Sequence, residues 1–368
     1  MNDADRFAWV QGYEEQVKPP MVYPDAFRVR YRLRPLAEQA FIQQWLASNL
    51  LADSGLSELG WYMVWHDPDP TPSEALPQRI AEAEGFVIFL HGWDGNHDIW
   101  EDLPEAVVSR NPRLVAFVFD HNGFGSTSFV DETPDIALCN PPAAMRVIER
   151  WINLMRLRNT PDTQPRRVIN FVGHSMGGAT LFYLNEAYWQ PHEQTRYPLA
   201  PALLLEDELH RLFYQALSIG IDILDRLPDW DILDRLDDLL APTFVDILAG
   251  GASQVVQTVH ETMYKTTPKG VTARTFAAMG RLDQAPPPSS WFHFRVALGS
   301  EDALVGLNPM HDLLDKLVVP KRKVRVFEGD HYFFSIGEKT HAAHSINREV
   351  VIQDILEQHH TAFRLLNA

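Results

Sequence analysis

Apolar and polar residues alternate strictly over Phe27–Leu33 (FRVRYRL), which predicts a strand with one buried and one wet face. Phe41, Ile42, Trp45 and Leu46 fall at helical spacing within 36–51, predicting a helix there. WYMVW at 61–65 reads as a second strand, and 67–78, with four prolines, as a loop. From residue 86 the pattern changes. Short runs appear at 86–90 (FVIFL), 114–119 (LVAFVF), 168–172 (VINFV), 202–205 (ALLL), 292–298 (FHFRVAL) and 324–327 (VRVF). Most are near-continuously apolar, the signature of strands buried on both faces in a largely parallel sheet. Between them lie helical stripes, such as Ala144, Ile148, Trp151, Ile152 and Met155, or Ile352, Ile355, Leu356, Phe363 and Leu366. Strand and helix in alternation predict an α/β fold.

One stretch breaks the alternation. Between Glu208 and Gln284 no strand is predicted. Three helical stripes are: Leu209, Leu212, Phe213 and Leu217; then Ile232, Leu233, Leu236, Leu239 and Leu240; then Val255, Val256, Val259 and Met263. DILDRL occurs at 222–227 and again at 231–236, too short an echo for a solenoid. The expectation is a helical lid (208–284) inserted between two late strands of a core formed by 61–207 and 285–368. Residues 1–60 are then an N-terminal extension packed on that core.

Composition narrows the function classes. The chain has 368 residues, 45% hydrophobic and 22% charged, the ordinary mixture of a globular protein. Its one cysteine, Cys139, excludes an intramolecular disulfide. A formal charge of -17 repels nucleic acid and anionic lipid headgroups. The polar, acidic start lacks the basic flank and apolar stretch of a signal peptide, and no segment approaches the ~20 apolar residues that cross a bilayer. The expectation is a cytoplasmic protein with neither a nucleic-acid partner nor stable membrane association; its oligomeric state is left open.

The chemistry concentrates in a few loops. Gly173-His174-Ser175-Met176-Gly177-Gly178 fits G-x-S-x-G directly after the run VINFV and before the helical run ATLFYLNEAYW. In that context the chain turns sharply from strand to helix and exposes the Ser175 hydroxyl as a nucleophile. Serine needs an adjacent base, held in one tautomer by an acid. Asp302 follows FHFRVAL and His331 follows VRVF, so Asp302 is assigned as the orienting acid and His331 as the base. Glu301, Asp330, Glu206 and Asp207 compete for the acid role. An oxyanion needs backbone donors; the N–H of Met176 and that of Trp93, in the loop His91-Gly92-Trp93-Asp94-Gly95 after FVIFL, are the candidates. Gly92, His174 and Tyr332 are the candidate substrate-binding residues, with His174 read chiefly as packing. A metal held by His91, Asp94, His97 and Asp98 is disfavoured, because the oxyanion loop already accounts for His91 and Gly92. Gly123-Phe124-Gly125 lacks the third glycine of a nucleotide loop. His341 and His344 read as surface residues.

From about Trp61 to the C-terminus the chain resembles the α/β-hydrolase superfamily, through HGWDG (91–95), DHNGFGSTS (120–128), GHSMGG (173–178), GSEDALV (299–305) and GDHYFF (329–334). Asn122 stands where relatives often carry arginine. The resemblance implies an α/β-hydrolase fold, with a mostly parallel central sheet flanked by helices, and a serine carboxylesterase or lipase needing no cofactor and no metal. The expected substrate is a small-molecule ester with a moderately hydrophobic acyl chain, cleaved through an acyl-enzyme. Lactone, thioester or carbon–carbon bond cleavage on the same triad, and a non-catalytic ligand receptor, are the alternatives.

Overall fold

The computed structural model describes residues 11–17, 23, 25–33, 41–66, 75–161, 163, 165–203, 245–246, 248–279 and 290–368. In chain order the elements are β1 (Gln11–Val17), β2 (Ala26–Leu33), α1 (Phe41–Ser54), β3 (Leu56–His66), α2 (Ala75–Glu82), β4 (Gly85–Leu90), α3 (Leu103–Arg110), β5 (Leu114–Phe119), β6 (Ser128–Phe129) and α4 (Pro141–Leu154). There follow β7 (Val168–His174), α5 (Met176–Thr180), β8 (Gln194–Leu199), α6 (Gln254–Thr266), α7 (Lys269–Met279), β9 (Val296–Gly299), α8 (Leu307–Lys316), β10 (Val324–Phe327) and α9 (His344–Leu366).

The strands form one sheet in the order β1-β2-β3-β5-β4-β7-β8-β9-β10, with β6 pairing beside β3. The first four strands along that path pair antiparallel, and from β5 to β10 all neighbours are parallel. The near-continuous apolar runs occupy the parallel part, as expected for strands covered on both sides. In β4, Val87 and Phe89 join one buried cluster while Phe86, Ile88 and Leu90 join the other. Successive side chains of a strand point to opposite faces, so the sheet has a hydrophobic layer on each side. Parallel pairing also brings the C-terminal ends of β4, β7, β9 and β10 to one edge, where ligands sit in open α/β sheets.

The described strands before residue 61 belong to this sheet: β2 pairs with β3 along its length, and β3 spans residues 60 and 61. The alternation in β2 buries Val29, Tyr31 and Leu33. Its other face is not simply wet. Arg28 is buried and donates through Nε and Nη2 to the two oxygens of Glu105 on α3, at 2.7 and 3.0 Å. Bidentate pairing satisfies a guanidinium that burial would otherwise penalise.

Several expectations change. The helix predicted over 36–51 spans Phe41–Ser54 among the described residues. The proline-rich loop gives way to α2 at Ala75; Pro77 sits in its first turn, where a missing N–H breaks no helical bond. ALLL at 202–205 is not the strand: residues 201–203 are irregular, and 204–205 lie outside the described residues. The strand is β8 (QTRYPL). Its pattern is obscured by Pro198 and by Arg196, which is buried against Glu186 and the Phe294 ring. β9 begins only at Val296; upstream, His293 turns to His192 at 2.6 Å. The helical run after Ser175 is cut to the five residues of α5 and a 3₁₀ turn. Asn185 ends it, its N–H going to Glu149 and its side chain capping Ala187.

Of the expected lid, α6 and α7 are described. The first two stripes, the DILDRL echo and 280–289 lie outside the described residues. Among the described residues no helix is long and apolar enough to cross a membrane.

The aromatic cluster behind the sheet yields a stability prediction. Trp151 is fully buried, with ring centroids 5.2 Å from Trp61, 4.9 Å from Phe117 and 4.7 Å from Phe119. Trp151→Ala is expected to lower unfolding free energy by about 3–5 kcal/mol, read from urea denaturation; a loss under about 1 kcal/mol contradicts this packing.

Candidate active site

The site begins with a turn that most residues avoid. Ser175 links β7 to α5 at φ 53, ψ -116, a left-handed backbone that is strained for a non-glycine residue. Hydrogen bonds hold it there. Its N–H donates to Leu199 O at 2.9 Å, and its carbonyl accepts from the N–H of Ala179 and of Ala202, both at 2.9 Å. The turn presses against β4: a Cβ on Gly177 would stand 2.1 Å from Leu90 O, so glycine is required there by space alone.

Asp302 and His331 arrive from the loops after β9 and β10. His331 Nδ1–H donates to Asp302 Oδ2 at 2.7 Å. Asp302 Oδ1 accepts from the N–H of Leu304 at 3.0 Å and of Val305 at 2.9 Å. Burial pushes the Asp302 carboxyl upward, but the His331 imidazole and these two amides outweigh it and hold the group below its ordinary range. An ionised Asp302 fixes the proton on Nδ1 and leaves His331 Nε2 as the basic atom. Nε2 has no hydrogen-bond partner among the described residues, and His331 lines the same cavity as Ser175.

The two described competitors for the acid role, Glu301 and Asp330, fall elsewhere. Glu301 is exposed. Asp330 accepts from Tyr332 N–H at 2.7 Å and stands 4.0 Å from His344. Glu206 and Asp207 lie outside the described residues. His344 is itself a correction. Expected at the surface, it is fully buried, and its Nδ1–H donates to the Ser335 carbonyl at 3.0 Å.

The loop after β4 is set by two histidines. His91 Nδ1–H donates to Gly92 O at 2.6 Å, and His91 Nε2 accepts from His121 N–H at 3.0 Å. The Gly92 carbonyl and the Trp93 N–H share one planar peptide, so fixing the first aims the second. Gly92 lies against Ser175: a Cβ there would be 2.9 Å from Ser175 Cβ and 3.5 Å from its Oγ. The Trp93 indole donates to Thr275 Oγ1 on α7 at 2.9 Å. Behind this loop Asp120 accepts from His97 N–H and Nδ1, both at 2.8 Å, and from Ser126 N–H and hydroxyl at 2.7 and 2.6 Å. Burial raises its pKa, but these partners hold it far below the ordinary carboxylate range. Asn122 donates to Cys139 O at 3.3 Å and reaches Met176 Sδ at 3.5 Å.

His174 is fully buried, its Nε2 3.0 Å from His331 O and its ring packed near Tyr332. It supports the His331 loop from behind the cavity. Ser175, His331, Trp93 and Tyr332 line the cavity itself, which holds about 20 Å³, roughly the room one water needs. Its other walls are apolar (Ala202, Leu248, Phe276, Met279, Leu304) apart from His260 on α6. Sequence reasoning missed His260. The one signal was a histidine inside the buried Val256–Val259–Met263 stripe.

The sequence profile described as "Alpha/beta hydrolase family" matches residues 87–342. No curated protein matches the chain. Among solved structures it is similar to an esterase (EaEST) from Exiguobacterium antarcticum, at 14% identity and TM-score 0.53, covering 81% of this chain and 95% of that one. It is similar to a thermophilic esterase from Thermogutta terrifontis at 14% and 0.53, covering 83% and 95%. A bromoperoxidase from Bacillus anthracis matches at 15% and 0.53, covering 82% and 96%. At these identities the likeness concerns the α/β-hydrolase fold.

Buried imidazoles set an acid limit. Burial drives His121 and His359 down to about 4, and His91 and His174 well below their ordinary value. Below about pH 6.5 the unfolded chain binds protons that these native groups refuse, so stability present above that pH is lost as pH falls. Asp94, raised by burial to about 6, acts in the opposite sense, as do Glu149 and Asp354, which burial also raises; the lowered histidines, with His293 at about 4 and His344 joining these four, outnumber them. The urea midpoint is expected to fall steadily from pH 7 to pH 5; a flat or rising midpoint contradicts this.

Proposed function

The chain belongs to the alpha/beta hydrolase family, and we propose that within it this protein is a serine hydrolase cleaving carboxylic esters of moderately hydrophobic acids through an acyl-enzyme. The observation that carries the reading is the Asp302–His331 pair. Its carboxylate fixes the imidazole tautomer, and His331, its Nε2 without a hydrogen-bond partner among the described residues, lines the same cavity as Ser175.

In this mechanism Ser175 Oγ attacks the ester carbonyl carbon as His331 Nε2 takes its proton. The Trp93 and Met176 N–H groups hold the resulting oxyanion. The intermediate collapses, the bond to the alcohol oxygen breaks, and His331 returns the proton to the departing alcohol. Water then attacks the acyl carbon, giving its proton to His331, and the acid leaves as Ser175 Oγ is reprotonated. Asp302 stabilises the imidazolium in both halves. Gly92 and Tyr332 shape the cavity around the acyl group, and His174 supports His331 from behind. The apolar walls, Phe276 and Met279 from α7 with Ala202, Leu248 and Leu304, favour hydrocarbon acyl chains over charged ones.

A series of p-nitrophenyl esters from acetate to decanoate tests this. Turnover of short to medium chains is expected, with Ser175→Ala inactive and Asp302→Asn reduced in kcat by about 10⁴-fold. Failure to hydrolyse any member, or undiminished turnover by Ser175→Ala, overturns the reading.

A further inference from the structure

A second acid–histidine pair stands beside the first. Asp94 follows Trp93 in the loop after β4, at a left-handed φ of 54. Its carboxyl is fully buried, and neither oxygen has a hydrogen-bond partner among the described residues. His260 Nδ1, also without a hydrogen-bond partner among them, lies 3.9 Å from Asp94 Oδ2. The other ring nitrogen, Nε2, is 2.6 Å from the Tyr332 hydroxyl. His260 and Tyr332 line the cavity with Ser175 and His331. A lysine also acts on Asp94: Lys269 on α7, whose ammonium donates to Tyr264 O at 2.6 Å.

Such a group is costly. A buried carboxyl without hydrogen bonds is strongly disfavoured, and an apolar side chain of similar size would suit the surrounding walls better. Unsatisfied buried polar groups cluster where a protein binds something. The direction of the chain of groups follows from chemistry. An ionised Asp94 draws the His260 proton onto Nδ1. Nε2 then accepts the Tyr332 O–H, and the phenolic oxygen keeps lone pairs with which to accept a further hydrogen bond.

We propose that Asp94, His260 and Tyr332 form a specificity relay that accepts a hydrogen bond from a hydroxyl on the substrate, so that hydroxylated esters are preferred over their methyl isosteres. The proposal rests on the ester-hydrolase reading above and adds a polar requirement to an otherwise apolar cavity. A carboxylate in the same position is rejected, since it brings no donor and faces Asp94. A site built around a hydrogen bond discriminates strongly against an analogue that leaves it unpaired.

The test uses two isosteric pairs at pH 8, followed by pH-stat titration: ethyl 3-hydroxybutyrate against ethyl 3-methylbutyrate, and 2-hydroxyethyl butyrate against propyl butyrate. The wild-type protein is expected to favour the hydroxylated member of at least one pair by about 10-fold or more in kcat/KM. In His260→Phe that ratio is expected to fall to about 3 or less. If His260→Phe loses its native circular dichroism, Asp94→Asn, which keeps the shape, is read instead. Turnover of both members of both pairs within about 3-fold by the wild type overturns the relay and leaves the ester-hydrolase reading standing, as does a ratio that persists in the folded variants. No turnover of any ester by the wild type overturns the ester-hydrolase reading and the relay with it.

Discussion

The left-handed turn at Ser175 is the constraint on which the site depends. A serine at φ 53 is held only because its backbone is clamped on both sides, by Leu199 at the end of β8 and by Ala179 and Ala202 beyond the turn. Those clamps require β8 to run parallel beside β7, in the register that pairs His174 with Leu199. They also require β4 on the other side to come close enough that Gly177 has no room for a side chain. The central strands, the glycine and the serine are therefore one device. Loosening any of them lets the turn relax and moves the hydroxyl away from His331 and the loop at Gly92.

Two carboxylates, the buried Asp120 and the half-buried Glu101, hold the loops around that device. Asp120 ties the loop at His97 to the turn at Ser126 through four hydrogen bonds. Glu101 accepts from Ser253 at 2.5 Å, Ser335 at 3.1 Å, Ile336 N–H at 3.1 Å and Arg348 at 2.9 Å. It thereby joins the start of α6, the segment after His331 and α9. Removing one partner from such a network strands the others without water. These carboxylates fix where the loops of the candidate site stand, whereas Asp94 has no such bonds among the described residues, and that contrast is what marks it out.

Much of the candidate site was legible because its residues sit at strand ends. Ser175, Asp302 and His331 each follow an apolar run that becomes a parallel strand, and parallel strands bring their ends together whatever their separation in the chain. The same rule made β4, β5, β7 and β10 readable. It failed at β8, where Arg196 and Pro198 interrupt the apolar pattern; the buried guanidinium there is tolerated only because Glu186 and Phe294 meet it. The length of α5 was overread because the polar break at Asn185 depends on Glu149, a residue of another helix. His260 and His344 were hidden for a related reason. Each is polar in an element whose pattern looks complete without it, and its partner, Tyr332 for His260 and Ser335 for His344, lies outside that element.

The most direct test of the central claim is intact-protein and peptide mass spectrometry after treatment with a fluorophosphonate, which traps only a serine activated by a neighbouring base. The account requires one phosphonyl adduct per chain, carried on Ser175 and suppressed in His331→Ala. An unmodified chain, or an adduct on another residue with Ser175 untouched, would contradict it.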